Sequence, residues 1–438
     1  MQCLGPWASK SWSCYKLDVI KSGLQKYLRR REQKKMVRCM VELDLFSHCG
    51  DKAKGIRTNM INRLKVMCYE ELCFDQLGRF LQVMRKIDQW EASGRTNRKV
   101  LVEICMILTT SELLRLSSDI KNYYWKGVRL YGYGSINKNL KSDIRLALPY
   151  KKEKDSQDII KDLANFIYFF NKKDDVAFYW LFEIILKASN GVKGHIRYRR
   201  KDCDYIIWEF LFDKAKHIPE LTEALNYGLK EYFKKNRTLK GDRLVVIISC
   251  TLAVMHKNKL DFNPAKVKVT DAQVDKFYNL TQPLVVDDYV LDKHCAAGRR
   301  KGKTNIDFAL EGSKVVRQNK TWFNKKYRDA YIEMKLKSCP KSKRSRSRAR
   351  SQKSHKSPES KLKVIPFSKF KNVTCCSSKT CGGKAMCWSV EYQGKKLVLK
   401  EGRKSMNYNR DYMVLDNLKP LFGLNKIGMI RIIMNKVG

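Results

Sequence analysis

Residues 335–363, KLKSCPKSKRSRSRARSQKSHKSPESKLK, hold twelve Lys or Arg against one acid and alternate Ser with cations through the middle. Neither a helical nor a strand period gives such a stretch an apolar face. It cannot bury itself, and its composition predicts a disordered, solvated tract. The tract therefore divides the 438-residue chain into two foldable parts, and no single core can run through both. It is also the densest part of a chain-wide surplus, 90 Lys and Arg against 44 Asp and Glu, or +46. A chain so basic repels itself unless a polyanion compensates it, and nucleic acid is the commonest polyanion inside a cell.

Composition allows ample core, with 43% hydrophobic and 11% aromatic residues, and nine prolines favour helix over an all-β chain. The fifteen cysteines are scattered through apolar stretches, as at Cys68, Cys73, Cys105 and Cys250. There they read as small buried hydrophobes in a reducing, intracellular setting. The longest apolar run, Leu244 to Met255, has twelve residues. A spanning helix needs about 20, so no membrane segment is expected.

The fold class read from these patterns is mainly α: a duplicated helical array, then the basic linker, then a small α+β module. The expected divisions are an arm 1–17, helical repeats 18–145 and 146–265, a connecting segment 266–334 with a basic loop, the linker 335–363 and the module 364–438. In the first repeat a basic amphipathic helix, LQKYLRRREQKKMVRCMVELDLF, precedes IRTNMINRLKVMCYEEL and RTNRKVLVEICMILTTSELLRL. The second offers DIIKDLANFIYFFNKKDDVAFYWLFEIIL, IRYRRKDCDYIIWEFL and KGDRLVVIISCTLAVM. Acids set the register: Glu42 and Glu70 in one copy, Glu183 and Glu209 in the other. Basic clusters precede the second acid of each, Arg57 and Arg63 or Arg197, Arg199 and Arg200, and the third elements begin near Arg98 and Arg243. Two copies of this size would stack as a helical array. One buried Arg–Glu pair per copy, holding helices in register, is the plainer use of these charges, beside polar sites between helices.

LQKYLRRREQKKMVRCMVELDLF followed by INRLKVMCYEEL resembles the helical C-terminal collar of clamp-loader-like ATPases, including the replication-associated recombination ATPases. The resemblance implies an assembly collar, here expected without its motor because 17 residues precede Asp18.

Two lysines present themselves for nucleotide chemistry. Ala297–Thr304, AGRRKGKT, fits a relaxed phosphate-loop pattern, in which Lys303 would reach phosphate and Thr304 would hold magnesium. The preceding VVDDYVLDKHCA is broken by Asp287, Asp288 and Asp292, unlike the buried strand such a loop follows, so an exposed basic turn is the simpler reading. His294 and Asp292 are its most reactive members. In the last part, AMCWSVEYQGKKLVLKEG resembles the small lobe of a protein kinase, which would make Lys400 the phosphate-binding lysine. CGGKAMC departs from that family's glycine loop, and neither His-Arg-Asp nor Asp-Phe-Gly follows Lys400. A hairpin about Gly394 is expected there, with a turn and short helix over SMNYNRDYMVLDNLKPLFGL. Cys375, Cys376, Cys381 and Cys387 could bind zinc, but their spacing lacks the paired knuckles usual for that metal. No other cofactor is implied.

The DKHCAAGRRKGK and CGGK…LKE…SMNYNRDY blocks resemble uncharacterised Lys/Cys-rich proteins of large eukaryotic DNA viruses. That likeness implies a role with viral DNA, in the nucleus, the viral factory or the virion.

The expected function is therefore non-enzymatic nucleic-acid binding and assembly, with double-stranded DNA as partner and self-association or protein partners through the helical half. The cations expected to contact phosphate are Arg299, Arg300, Lys301 and Lys303 in the loop. In the linker they are Lys341, Lys343, Arg344, Arg346, Arg348, Arg350, Lys353 and Lys356. Two alternatives stand beside it: a nucleotide-dependent replication or phosphotransfer enzyme using Lys303 or Lys400, and a structural virion protein that binds acidic protein surfaces.

Overall fold

The structure is a computed structural model. It describes residues 10–50, 54–128, 142–153, 155–190, 205–234, 241–316 and 325–337, together with the backbone of six strands between 363 and 433. The chain forms two compact units, 1–347 and 348–438.

The first unit is mainly helical. Its first half contains α1 (Leu17–Arg29), α2 (Gln33–Asp44), α3 (Lys54–Glu71), α4 (Leu77–Ala92) and α5 (Arg98–Thr110). A short α6 (Leu116–Ile120) follows. The second half contains α7 (Gln157–Asn171), α8 (Ala177–Asn190), α9 (Tyr205–Ala215), α10 (Pro219–Tyr232) and α11 (Gly241–Met255). Each half thus contributes five helices of eleven or more residues among the described residues. The first two helices of each half form a hairpin, turned at a non-glycine basic residue with positive φ, Arg31 (57°) and Lys173 (55°).

That turn corrects one expectation. Leu24–Phe46 is not a single amphipathic helix, because the left-handed Arg31 ends α1 and lets α2 fold back. Arg31 N–H closes on Leu28 O (2.8 Å) and Glu32 N–H on Tyr27 O (2.9 Å), so the exposed amides stay paired through the reversal.

Caps fix several starts. The Asn97 side chain accepts from Val100 N–H and Ser156 from Ile159 N–H, each satisfying a donor that the first helical turn leaves open. The halves meet where α3 and α4 pack on α11 and α10. Their shared core runs from Tyr69 and Leu77 through Phe166, Trp208 and Phe210 to Val246 and Ile247. Aromatic edges interlock there, as between Phe170 and Phe210 (4.9 Å, 87°).

Segment 266–334 is no mere connection. Through α12 (Asp271–Tyr278) and a long loop it straps the first half. Tyr278 hydroxyl donates to Asp44 (2.8 Å), Leu284 N–H to Tyr15 hydroxyl (2.6 Å), and Arg29 Nη1 to Gly312 O (2.6 Å). These bonds join residues more than 230 apart in sequence, so the strap packs as part of the first half.

The second unit contains two three-stranded sheets. β1 (Lys363–Pro366) pairs parallel with β6 (Ile430–Ile433), and β6 pairs antiparallel with β5 (Tyr412–Val414). The other sheet runs β2 (Lys371–Cys376), β3 (Cys387–Tyr392), β4 (Lys395–Lys400), all antiparallel. Tyr392 stands opposite Lys395, which is the hairpin expected about Gly394. Tyr412–Val414 is extended where a turn and short helix were expected; most of that stretch lies outside the described residues. No helix among the described residues is long and apolar enough to cross a membrane.

Candidate nucleic-acid interface

The basic loop is built on α1. Lys26, one turn from the end of that helix, is buried and pairs with buried Asp292 (2.7 Å) while donating to Val290 O and Ser22 Oγ (both 2.9 Å). Asp18, two turns earlier, accepts from Ala296 N–H (2.6 Å). Burial, and then the nearby Arg29 charge, pull the Lys26 ammonium down to about 8 against the upward pull of Asp292. Burial pushes the Asp292 carboxyl up, but the contacts from His294 and Lys26 together outweigh it and hold the group well below the usual carboxylate range.

From this anchor the loop is stiff. Asp292 accepts from His294 N–H (2.7 Å) and from its ring Nδ1 (3.1 Å), so the imidazole is fixed although more than half exposed. Gly298 packs directly on the Asp292 backbone, where an added Cβ would lie 1.9 Å from Asp292 O. Gly302 takes φ 68°, and Thr304 caps the next turn reciprocally with Asp307.

The four cations expected to act together separate into two pairs. Lys301 (3.0 Å) and Lys303 both close on Asp288. Burial raises that carboxyl, but the two lysine contacts outweigh it and leave it below its ordinary value. Arg299 and Arg300 have no carboxylate partner among the described residues. Arg299 is steadied by donating to Lys293 O (3.2 Å) and His294 O (3.1 Å), and Arg300 is exposed. Lys293 joins them: it lies 5.6 Å over Phe308, and its ammonium is lowered by burial and by the Lys335 charge. The His294 ring meets the same phenyl edge-on at 4.8 Å. The result is a basic knuckle of Lys293, Arg299 and Arg300 beside the His294 ring.

This is not the geometry of a phosphate loop. Among the described residues no strand precedes it, Ala296–Arg300 is a single helical turn, Lys303 is on Asp288 and Thr304 Oγ is on Asp307 (2.7 Å). Lys400 ends β4 opposite Cys387 in register, and Cys387 also stands opposite Cys376. Cys375 is the preceding residue of β2, while Cys381 lies outside the described residues. Among the described residues no group of three or more His, Cys, Asp or Glu is placed to hold a metal. Lys341, Lys343, Arg344, Arg346, Arg348, Arg350, Lys353 and Lys356 of the linker also fall outside them.

The acids that set the register serve two tasks. Glu42 is fully buried, faces Arg38 (3.3 Å) and accepts Ser13 N–H (2.9 Å). Glu70 and Glu71 sit in a buried network with Arg29 and Arg115: Arg29–Glu71 is 2.6 Å and Arg115–Glu70 2.6 Å. Against the upward push of burial, Arg115 and then Arg29 hold the Glu70 carboxyl well below its usual range. The partners are therefore arginines of α1 and of the residue before α6. Arg57, of the basic cluster that precedes Glu70, binds Asp44 (2.8 Å). In the second half Glu209 meets exposed Lys152 (2.6 Å), and Arg197, Arg199 and Arg200 lie outside the described residues.

No family model matches the chain, and no significant similarity to a curated protein or a solved structure was found. The reading of the knuckle therefore rests on its own chemistry. Lys26 and Lys293 had escaped the sequence reading. The signal that could have found Lys26 is a lone lysine on the apolar face of an amphipathic helix, which needs a buried acid somewhere else in the chain.

Proposed function

We propose that this chain is a non-enzymatic nucleic-acid-binding and assembly protein, with double-stranded DNA as its polymer. The observation that supports this most is the knuckle. A buried ion pair, a glycine contact and a capping box hold one loop rigid, and that loop offers Arg299 and Arg300 without a competing carboxylate. Arg299, held by its bonds to Lys293 O and His294 O, and exposed Arg300 suit phosphate oxygens, which accept two parallel N–H bonds from a guanidinium. The linker's twelve cations add sequence-blind attraction of the same sign. The helical array would supply the assembly surface, and the resemblance of the DKHCAAGRRKGK and CGGK…LKE…SMNYNRDY blocks to viral Lys/Cys-rich proteins is what suggests a nucleus, viral factory or virion as the setting.

The test is binding of the full chain to duplex DNA across a salt series. Replacing Arg299 and Arg300 by Ala together is expected to reduce the slope of log affinity against log salt by about 2, since each lost phosphate contact removes about 0.9. An unchanged slope would remove the knuckle from the interface. Magnesium–ATP binding that is lost with Lys303→Ala or Lys400→Ala would favour the enzymatic alternative. Association with an acidic protein that survives nuclease treatment would favour the structural one.

A further inference from the structure

The N-terminal turn carries an arrangement separate from the knuckle. Lys10 and Lys16 pair across an antiparallel bridge, and Cys14 N–H closes on Ser11 O (2.9 Å) with Cys14 at φ 67°. Trp12 therefore occupies the first corner of a tight turn. The turn is anchored from beneath. Ser11 is fully buried, Ser13 N–H donates to buried Glu42 (2.9 Å), and Tyr15 hydroxyl receives Leu284 N–H (2.6 Å). On this base the largest side chain of the turn, Trp12, remains 36% exposed.

Trp12 begins a row of planar groups. Its ring lies 5.4 Å from that of His48, tilted 49°. His48 Nε2 is 3.0 Å from Arg98 Nη2, and the Arg98 guanidinium lies 4.5 Å over the Tyr278 ring. Tyr278 is fixed by its hydroxyl on Asp44. The turn, the end of the segment after α2, the start of α5 and the end of α12 each contribute one member. Lys10, Lys16, His48 and Arg98 have no carboxylate partner among the described residues. Two described acids near the row are engaged, Asp44 by Arg57 and Tyr278, and Asp271 by Lys99 (3.2 Å).

We infer that the exposed Trp12 ring, backed by His48, Arg98 and Tyr278, is a stacking platform for unpaired nucleobases, with Lys10 and Lys16 beside it for the sugar-phosphate chain. Any base offers a π-face to an indole or a guanidinium, so such a platform tolerates sequence but requires an unpaired strand. The proposal rests on the nucleic-acid reading and adds single-stranded segments, such as gaps, ends and forks, to the duplex that the cations hold.

Three probes separate the two ideas: a short oligothymidylate, an abasic strand with the same number of phosphates, and a duplex. Binding of each to the full chain is followed by anisotropy. Trp12→Ala is expected to weaken oligothymidylate binding by roughly five-fold or more, the lower range of one lost stacking contact. Affinity for the abasic strand and the duplex should stay unchanged, and Trp12→Phe should retain most of the oligothymidylate binding. Equal loss on all three probes, or no loss on oligothymidylate, overturns the platform while leaving the nucleic-acid reading intact. A wild-type chain that ignores all three probes overturns both.

Discussion

Asp119 of α6 is buried beside Arg115, Arg328 and Glu71, and its carboxyl is pushed up to about 6 from 3.8, by burial above all and against the pull of the two arginines. Between those values the folded chain keeps a proton that the unfolded chain has released. Stability therefore falls as pH rises through that window, and above it the ionised group costs about 3 kcal/mol. Asp119→Asn is expected to raise the melting temperature at neutral pH and to leave it unchanged near about pH 4. A melting temperature that falls at neutral pH would show that the two arginines need the charge. Gly298 gives a second residue-scale test. A Cβ there meets Asp292 backbone at 1.9 Å and 2.4 Å, so Gly298→Ala must shift the loop. About 1–3 kcal/mol of destabilisation is expected by denaturant titration, with faster proteolysis at 293–303. At this scale the sequence was only partly legible. Asp292 and His294 stand out as polar residues in a glycine-rich block, and they do meet. Thr304 and Asp307 carry their capping-box spacing openly. Lys303 and Thr304 match a phosphate-loop pattern whose letters are right and whose neighbours are not. Trp12 gave no signal, because its partners are distant in sequence.

At the scale of elements, α1 does more than bury an apolar stripe. Asp18, Ser22, Lys26 and Arg29 recur at helical spacing and hold the strap along one edge through Ala296, Val290, Asp292 and Gly312. Lys26→Met would leave Asp292 buried without its cation, so a cost on the order of 3–5 kcal/mol is expected. Combining Lys26→Met with Asp292→Leu should recover much of it. Additive losses in that cycle would mean that the pair is uncoupled. Helix existence was legible from periodicity, since α3 and α5 fall where the apolar spacing put them. The break at Arg31 was not, because LQKYLRRREQKKMVRC keeps its period while one residue turns left-handed. The Glu70 and Glu71 partners were not legible either. Arginines 42 to 45 residues away leave no local trace, whereas Arg57, nearer in sequence, faces another acid.

For the molecule as a whole, the mainly helical class followed from composition and period, and the hairpin of the second unit from Gly394 between two alternating runs. What those patterns could not reveal is that 266–316 packs on the first half, since Tyr278, Leu284 and Ala296 bond residues 230 or more positions earlier. Charge is the property that belongs to the whole chain. The knuckle is a fixed part of it, and the linker holds twelve cations that a polyanion would neutralise together with the counterions it releases. The most direct test is retention of the purified full-length chain on double-stranded DNA through a salt titration, repeated after removal of residues 335–363. Tight binding at low salt is expected, with a steep negative salt slope that becomes shallower by several units in the shortened chain. No retention at low ionic strength, or a slope untouched by the deletion, would contradict the account.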